Sequence, residues 1–299
     1  RHVNDAIAID TETSGLDPRT PGARIRLIQF GDTVTGWSVP WEDWRGLALE
    51  ALRDFDGLQI YHNLAFEMRW IQHFSDYRIP RDRTVDTMIA AHIVNPLGSG
   101  ALKVLGDQFV DRRASAGQQD LQTAMHENNW TWGTIPVNYQ PFWFYGALDC
   151  VLTANLWEHF RPKVTGDGPY RAVFDMEMAV RHICSRMEER GARVDLDYSA
   201  AQRASLDAYA EKIDAWGQQA FGIRLGSPQQ LAAEIMKHGG EFTEYTKTGQ
   251  PKTDKGILKV MADPDNGYPL NVQLLAGQAL ALRDARKTSS TYFSAFLDR

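Results

Sequence analysis

Cysteine is nearly absent from this 299-residue chain: Cys150 and Cys184 are the only two. Two isolated thiols form neither a disulfide framework nor a metal-binding spacing, and they fit buried side chains in a reducing compartment. Long apolar runs are missing as well. No stretch approaches the ~20 residues that span a bilayer, and the opening Arg1-His2-Val3-Asn4-Asp5 contains no apolar signal region, so a cytoplasmic location is expected. That opening also lacks an initiator Met, which suggests a piece of a longer chain. Cations are not in excess. The net charge of −6 argues against an unspecific coat on nucleic acid. Repeats and low-complexity tracts are absent. What is present is an ordinary globular composition, 43% hydrophobic and 23% charged, in a chain long enough for about two domains.

The charge is unevenly spread. The whole net charge of −6 falls within residues 1–162, whereas residues 163–299 balance to zero and contain a basic group at Arg283, Arg286 and Lys287. The first half alternates patterns. Ala6–Ile9 reads as a short buried strand, and Arg24–Phe30 and Gly36–Val39 read as two more, joined tightly enough to be antiparallel neighbours. A helix follows at Glu42–Phe55, then a strand at Leu58–Tyr61 and a helix starting at Asn63 as its cap. Val85–Val94, opened by Thr84-Val85-Asp86-Thr87, and Tyr145–Phe160 are further helices. The expected fold class is α/β, a mixed sheet with flanking helices. Residues 161–169, rich in Pro and Gly, mark the expected domain boundary, giving domains 1–162 and 163–299. The second half reads as helical. Val173, Met176, Val180, Ile183 and Met187 recur at helical spacing, and Gly191 is a natural stop. A second helix spans about Ser199 to Ala220. Ser227-Pro228-Gln229-Gln230 is a helix start with the pattern of a capping box. The last helix runs from about Val272 past Lys287.

The first of three acidic segments is Ile9-Asp10-Thr11-Glu12. Asp10 and Glu12 are two apart at the end of a strand, so they point the same way, and two converging carboxylates repel unless a cation lies between them. An ordinary strand-to-turn junction is the alternative for this segment taken alone. The second segment, His62-Asn63-Leu64-Ala65-Phe66-Glu67, puts a carboxylate one turn into a helix. The third, Tyr145-Gly146-Ala147-Leu148-Asp149, puts a phenol and a carboxylate on one helix face at i and i+4. Four acids from three elements would hold two divalent ions, Mg²⁺ or Mn²⁺, ~3.5–4 Å apart, a geometry suited to phosphodiester cleavage.

These segments resemble the motifs of the DEDD superfamily of 3′–5′ exonucleases in its tyrosine subclass: Asp-x-Glu, Asn-x-x-x-Asp and Tyr-x-x-x-Asp, in that order. The histidine subclass would need His where Phe144 stands. The resemblance implies an RNase H-like fold for residues 1 to about 162, with Asp10, Glu12, Glu67 and Asp149 as metal ligands and Tyr145 orienting the attacking water. It also implies substrate contacts at Leu16, Asn63 and Phe66, Leu16 as a wedge and Phe66 near the terminal nucleotide; core packing is the other reading of Phe66. Glu67 departs from the family's usual Asp by one methylene, roughly 1.5 Å of reach. His62 reads as a hydrogen-bonded structural residue. The stretch 106–144, with Trp130, Trp132, Tyr139, Phe142 and Trp143, reads as an insert packed on the domain, with a single-strand groove as the alternative.

Residues from about 170 onward resemble the opening of the polymerase region of family A DNA polymerases. The matching pieces are Met187–Gly191 with Val194-Asp195, Ser227–Leu231, Thr248–Asp254 and Arg283–Tyr292. In that family this region is the helical thumb. The resemblance therefore implies primer–template duplex held by its backbone through Arg283, Arg286, Lys287, Ser290 and Thr291. A solvated helix end is the alternative for these residues. No later polymerase motif is matched, so a partial, monomeric, phage-like polymerase that does not itself polymerise DNA is the expectation. The leading activity is proofreading hydrolysis of single-stranded DNA 3′ ends to nucleoside monophosphates. The rivals are an RNA 3′-exonuclease resembling ribonuclease D, and a DNA-binding replication module disabled by Glu67.

Overall fold

Strand β1 (Ala6–Thr13) lies at the centre of a five-stranded sheet, and its apolar start is buried, with Ala8 and Ile9 almost fully enclosed. A computed structural model of the chain describes residues 6–112 and 114–297. β1 is followed by β2 (Ile25–Gly31), β3 (Gly36–Pro40) and helix α1 (Trp41–Asp54). Next come β4 (Leu58–Tyr61), α2 (Leu64–Phe74), β5 (Thr84–Asp86), α3 (Thr87–Val94), α4 (Leu102–Phe109) and α5 (Ala116–Glu127). The long α6 (Gln140–Val164) and α7 (Arg171–Arg190) follow. The strand order is β3-β2-β1-β4-β5, with β1, β2 and β3 antiparallel and β4 and β5 parallel to β1. The mixed sheet with flanking helices expected from the sequence is what forms. Thr84–Asp86 is a fifth strand, not the first turn of a helix, because it pairs in register with Gln59–Tyr61.

The topology opens a place for a site. β1 pairs with β4 only over Ala6–Ala8, so the carboxyl half of β1 is unpaired on that side and faces the end of β4. Crevices at the carboxyl ends of parallel strands are where α/β sheets hold ligands. Helix α6 crosses the sheet at backbone contact distance. A Cβ on Gly36 would lie 2.2 Å from the Ala147 carbonyl oxygen, and one on Gly146 would lie 2.4 Å from the Gln29 amide nitrogen. Only glycines permit α6 to sit this low.

The two compact units are Arg1–Gly191 and Ala192–Arg299. The first compact unit extends past the expected domain end at 162 because α6 continues through Pro162, and α7 buries Phe174 and Met178 in the first unit's core. The stripe Val173, Met176, Val180, Ile183 and Met187 is correspondingly not the buried face of α7. Those residues are exposed, while Phe174, Met178, His182 and Ser185 face inward.

The second unit contains α8 (Leu196–Phe221), α9 (Pro228–Lys237), α10 (Lys255–Ala262) and α11 (Leu270–Thr288), which runs into a π-helical turn at Ser289–Ser294. Ile213, Leu225, Leu231, Ile235, Leu258, Leu275 and Leu282 form its apolar core. Ser227 caps α9 by accepting from the Gln230 N–H at 3.5 Å. The reciprocal half of the capping box is redirected, since the Gln230 side-chain oxygen accepts from the Arg224 N–H at 2.7 Å. Among the described residues, no helix is long and apolar enough to cross a membrane.

Candidate active site

A cavity of about 400 Å³ opens at the carboxyl end of β1, and its lining includes Asp10, Glu12, Leu16, Asn63, Phe66, Glu67, Tyr145 and Asp149. All eight residues that the exonuclease resemblance singles out therefore meet in one place. Strand alternation aims Asp10 and Glu12 together, and α6, seated by Gly146, adds Asp149. Carboxylate oxygens of Asp10, Glu12 and Asp149 all lie within 4.8 Å of one another. Glu67 stands apart from that trio. Its Oε2 accepts the Thr11 hydroxyl at 2.7 Å, and Thr11 lies between the two β1 acids in sequence, on the alternate side of the strand.

Helix α2, which delivers Glu67, is set by a residue distant in sequence. Asn63 occupies the N-cap position with φ 67°, but its side chain makes no cap bond. Asp86 does the capping instead. Its carboxylate accepts from the Asn63 and Leu64 N–H groups at 3.1 and 2.8 Å, and from Met88 N–H of α3 at 2.8 Å. Asp86 is thus no fifth ligand; it fixes two helix starts at once. His62 is structural, as its sequence context suggests. Nε2 donates to the Gly100 carbonyl at 2.9 Å, which leaves Nδ1 to accept from the Thr87 hydroxyl at 2.8 Å. Burial favours this neutral ring, holding its pKa below the ordinary histidine value. The bond to Gly100 also anchors the approach to α4.

From α4 comes the residue that the motifs do not contain. Lys103 is nearly buried, its ammonium is bonded to Asp149 Oδ1, and its Nζ lies 4.3 Å from the Tyr145 ring centroid. Its sequence signal was a lone Lys inside the apolar run Leu102–Leu105. Burial lowers its pKa to about 8, opposed by Asp10, Glu12 and Asp107, so it is charged at neutral pH.

Trp132 is the second addition. It lines the cavity with its ring 5.9 Å from that of Tyr145. Arg26 holds it there by donating to the Trp132 and Ile135 carbonyls. Most of the other aromatics between 128 and 145 pack together around Leu27, Leu121, Met125, Ile135 and Phe142. The packing reading of that insert therefore accounts for them, and Trp132 packs against the same cluster while also lining the cavity.

The electrostatics are those of crowded acids. Burial pushes Asp10 up to about 7, against the pull of Lys103. Glu12 and Glu67 are raised well above the ordinary carboxylate value by burial and by Asp10. Burial and the same acids raise the Tyr145 phenol, which stays a neutral hydroxyl able to donate. A buried set of oxygen donors whose mutual repulsion a cation would relieve fits a hard divalent ion.

In the second unit, Arg283 donates to the Thr253 carbonyl and hydroxyl, and Arg286 pairs with Asp214 Oδ2 at 2.6 Å. Lys287, Ser290 and Thr291 are exposed.

Comparison with known proteins agrees with this geometry. The 3′–5′ exonuclease model of family A DNA polymerases matches residues 2–165. The chain belongs to this 3′–5′ exonuclease family. Among curated relatives, a DNA polymerase of Mycobacterium phage D29 is 26% identical over 281 residues, covering 87% of this chain and 46% of the relative. DNA polymerase I of Pseudomonas aeruginosa is 25% identical, covering 96% of this chain and 32% of the relative. The chain thus spans about half the length, or less, of these relatives. A solved structure described as the POL domain of Pol1 from M. smegmatis, in complex with DNA primer-template and dNTP, shares the fold. It has a TM-score of 0.65 at 19% identity and covers 95% of this chain and 45% of that one.

Proposed function

We propose that the chain is the metal-dependent 3′–5′ exonuclease part of a DNA polymerase. In this reading it removes nucleoside monophosphates from single-stranded 3′ ends of DNA, and the second unit, as a helical thumb, grips primer–template duplex. The observation that carries the reading is the convergence of Asp10, Glu12 and Asp149 beside Tyr145, in a pocket walled by Leu16 and Phe66. Asp10, Glu12 and Asp149 would hold one Mg²⁺ or Mn²⁺, and Glu67, with Asp10, would serve a second. When bound, the two ions would supply charge neutralisation at the scissile phosphate and an acidified water.

The chain's own residues supply the rest. Tyr145 keeps its proton and offers a hydroxyl that orients the attacking water toward the phosphorus. Phe66 gives the terminal base a stacking face, which is tolerant of sequence and worth about 1–3 kcal/mol. Leu16, 83% exposed at the cavity rim, is placed to wedge against the next base. No residue here needs to read a base edge, as suits an enzyme that removes any nucleotide. On the second unit, exposed Lys287, Ser290 and Thr291 present a cation and hydroxyls for phosphates.

The test is digestion of a strand labelled at either end, as DNA and as RNA, with Mg²⁺, with Mn²⁺ and with chelator. Metal-dependent, stepwise shortening of DNA from the 3′ end is expected. RNA degraded in preference to DNA would move the reading toward an RNA exonuclease. DNA binding that survives chelation, with no cleavage in Mn²⁺, would replace it with a binding module.

A further inference from the structure

Lys103 belongs to none of the three acidic motifs, yet its ammonium is bonded to one of their carboxylates. Helix α4 brings it to Asp149 Oδ1, with Nζ over the Tyr145 ring. The Asp149 carboxylate is also one of the three whose oxygens converge within 4.8 Å. An ammonium and a divalent ion therefore claim the same group. The helix that carries the ammonium is not free to withdraw, since its approach is pinned by His62 through the Gly100 carbonyl. What can move is the four-carbon stem, and the adjoining cavity and aromatic face give a released ammonium somewhere to go.

We infer that Lys103 is a built-in counter-cation. It holds Asp149 in the metal-free chain, is displaced from that carboxylate by the incoming ion, and so sets how tightly the ion binds. This rests on the proposed metal site. The consequence has a definite sign. A site that already contains a cation binds divalent metal more weakly than one without it, while the metal-free fold is steadier for having it, because buried like charges are otherwise uncompensated.

The experiment measures Mn²⁺ binding to the full chain by calorimetry and by electron paramagnetic resonance of free Mn²⁺, with melting in EDTA alongside. The variants are Lys103→Met, Lys103→Gln, Asp149→Asn and the Lys103→Met/Asp149→Asn double. Both Lys103 variants are expected to bind Mn²⁺ about tenfold more tightly than wild type. Both should melt lower in EDTA, and most of the gain in affinity should disappear in the Asp149→Asn background. Should Lys103→Met fail to fold, Lys103→Gln, which keeps a polar side chain of similar length, carries the test. Unchanged or weaker Mn²⁺ binding in the variants, or a gain that persists in full without Asp149, overturns the counter-cation. Absence of saturable binding in every variant overturns the metal site itself and this inference with it, an outcome distinct from equal binding.

Discussion

The two units treat charge in opposite ways. In the first, Glu12, Glu67, Asp86 and Asp149 are buried, and so are the cations Arg26 and Lys103. In the second, the buried interior is almost wholly apolar; Glu234 is its buried acid among the described residues, and it is paired with Lys237 and His238 at the surface. Burying charge is costly unless every group finds a partner, whereas exposed pairs cost and contribute little. The second unit thus resembles a scaffold whose polar residues face water. The first accepts crowded acids in its interior, a crowding that raised carboxyl pKa values and the Lys103 ammonium relieve in part and that a bound cation would relieve further.

Removing one acid sharpens that contrast most. Asp10→Ala is expected to lower 3′-end hydrolysis by about a thousandfold or more, since it removes one of the three acids proposed to hold metal. Glu67→Gln, outside the trio and bonded to Thr11, should lose about tenfold. Neither Arg283→Ala nor Arg286→Ala should change the rate on a short single strand. Rates on an end-labelled oligonucleotide decide it, and equal losses for Asp10 and Glu67 would put all four acids on one footing.

Backbone placement comes next. Gly36→Ala forces a methyl to within 2.2 Å of the Ala147 carbonyl oxygen, on rigid elements that cannot yield locally. A stability loss of about 3 kcal/mol or more is expected in urea unfolding, with activity lost alongside as Tyr145 and Asp149 lift off the sheet. Gly249→Ala in the second unit meets open space and pays only for its φ of +77°, about 1 kcal/mol. Similar losses at both positions would show that α6 is not held at backbone contact.

Much of this site was legible in the sequence, because strand alternation and helical i, i+4 spacing are local rules. Asp10 with Glu12, and Tyr145 with Asp149, share faces whatever surrounds them. What escaped was set by distant partners. Asp86 caps α2 across a parallel strand pair, which no pattern around Asn63 reveals. Lys103 needed the three-dimensional meeting of α4 and α6. The apolar stripe on α7 marks a helix correctly, but helical spacing does not say which face turns toward the core; Phe174 and Met178, on another face, are the residues that do. The packing of α7 onto the first unit, which carries that compact unit to Gly191, is hidden from the sequence for the same reason.

The acid crowding also fixes the sign of a pH dependence. Asp10 titrates at about 7 in the fold against an ordinary 3.8, so between these values the folded chain keeps a proton that the unfolded chain has released. Metal-free stability of the first unit therefore falls as pH rises from about 4 to 7, with Glu12 and Glu67 acting in the same direction. Lys103, lowered to about 8 from 10.5, acts only above that window. Saturating Mg²⁺ should flatten the slope. Hydrogen exchange of α6 amides at pH 5 and 7 in EDTA reads it, corrected for intrinsic rates, and α11 amides serve as the control that should not move. A parallel decline in α11 would mean that the slope is global and not the signature of these acids.

The smallest effect expected is at Arg286. Its pair with Asp214 joins an exposed guanidinium to a half-buried carboxylate, so Arg286→Ala should change stability by about 1 kcal/mol and single-strand cleavage not at all. If this helix end faces duplex phosphates, binding of a primer–template should nonetheless weaken uniformly across sequences, and the salt dependence of binding should drop by about one phosphate contact. Asp214→Ala separates the two roles of the arginine. Freed from its carboxylate, Arg286 would be more available to a phosphate, so duplex affinity should rise slightly where a purely structural pair would leave it unchanged. A charge that is nearly neutral for folding and measurable only when DNA is present is the converse of Asp10, whose crowding among other acids weighs on the fold itself.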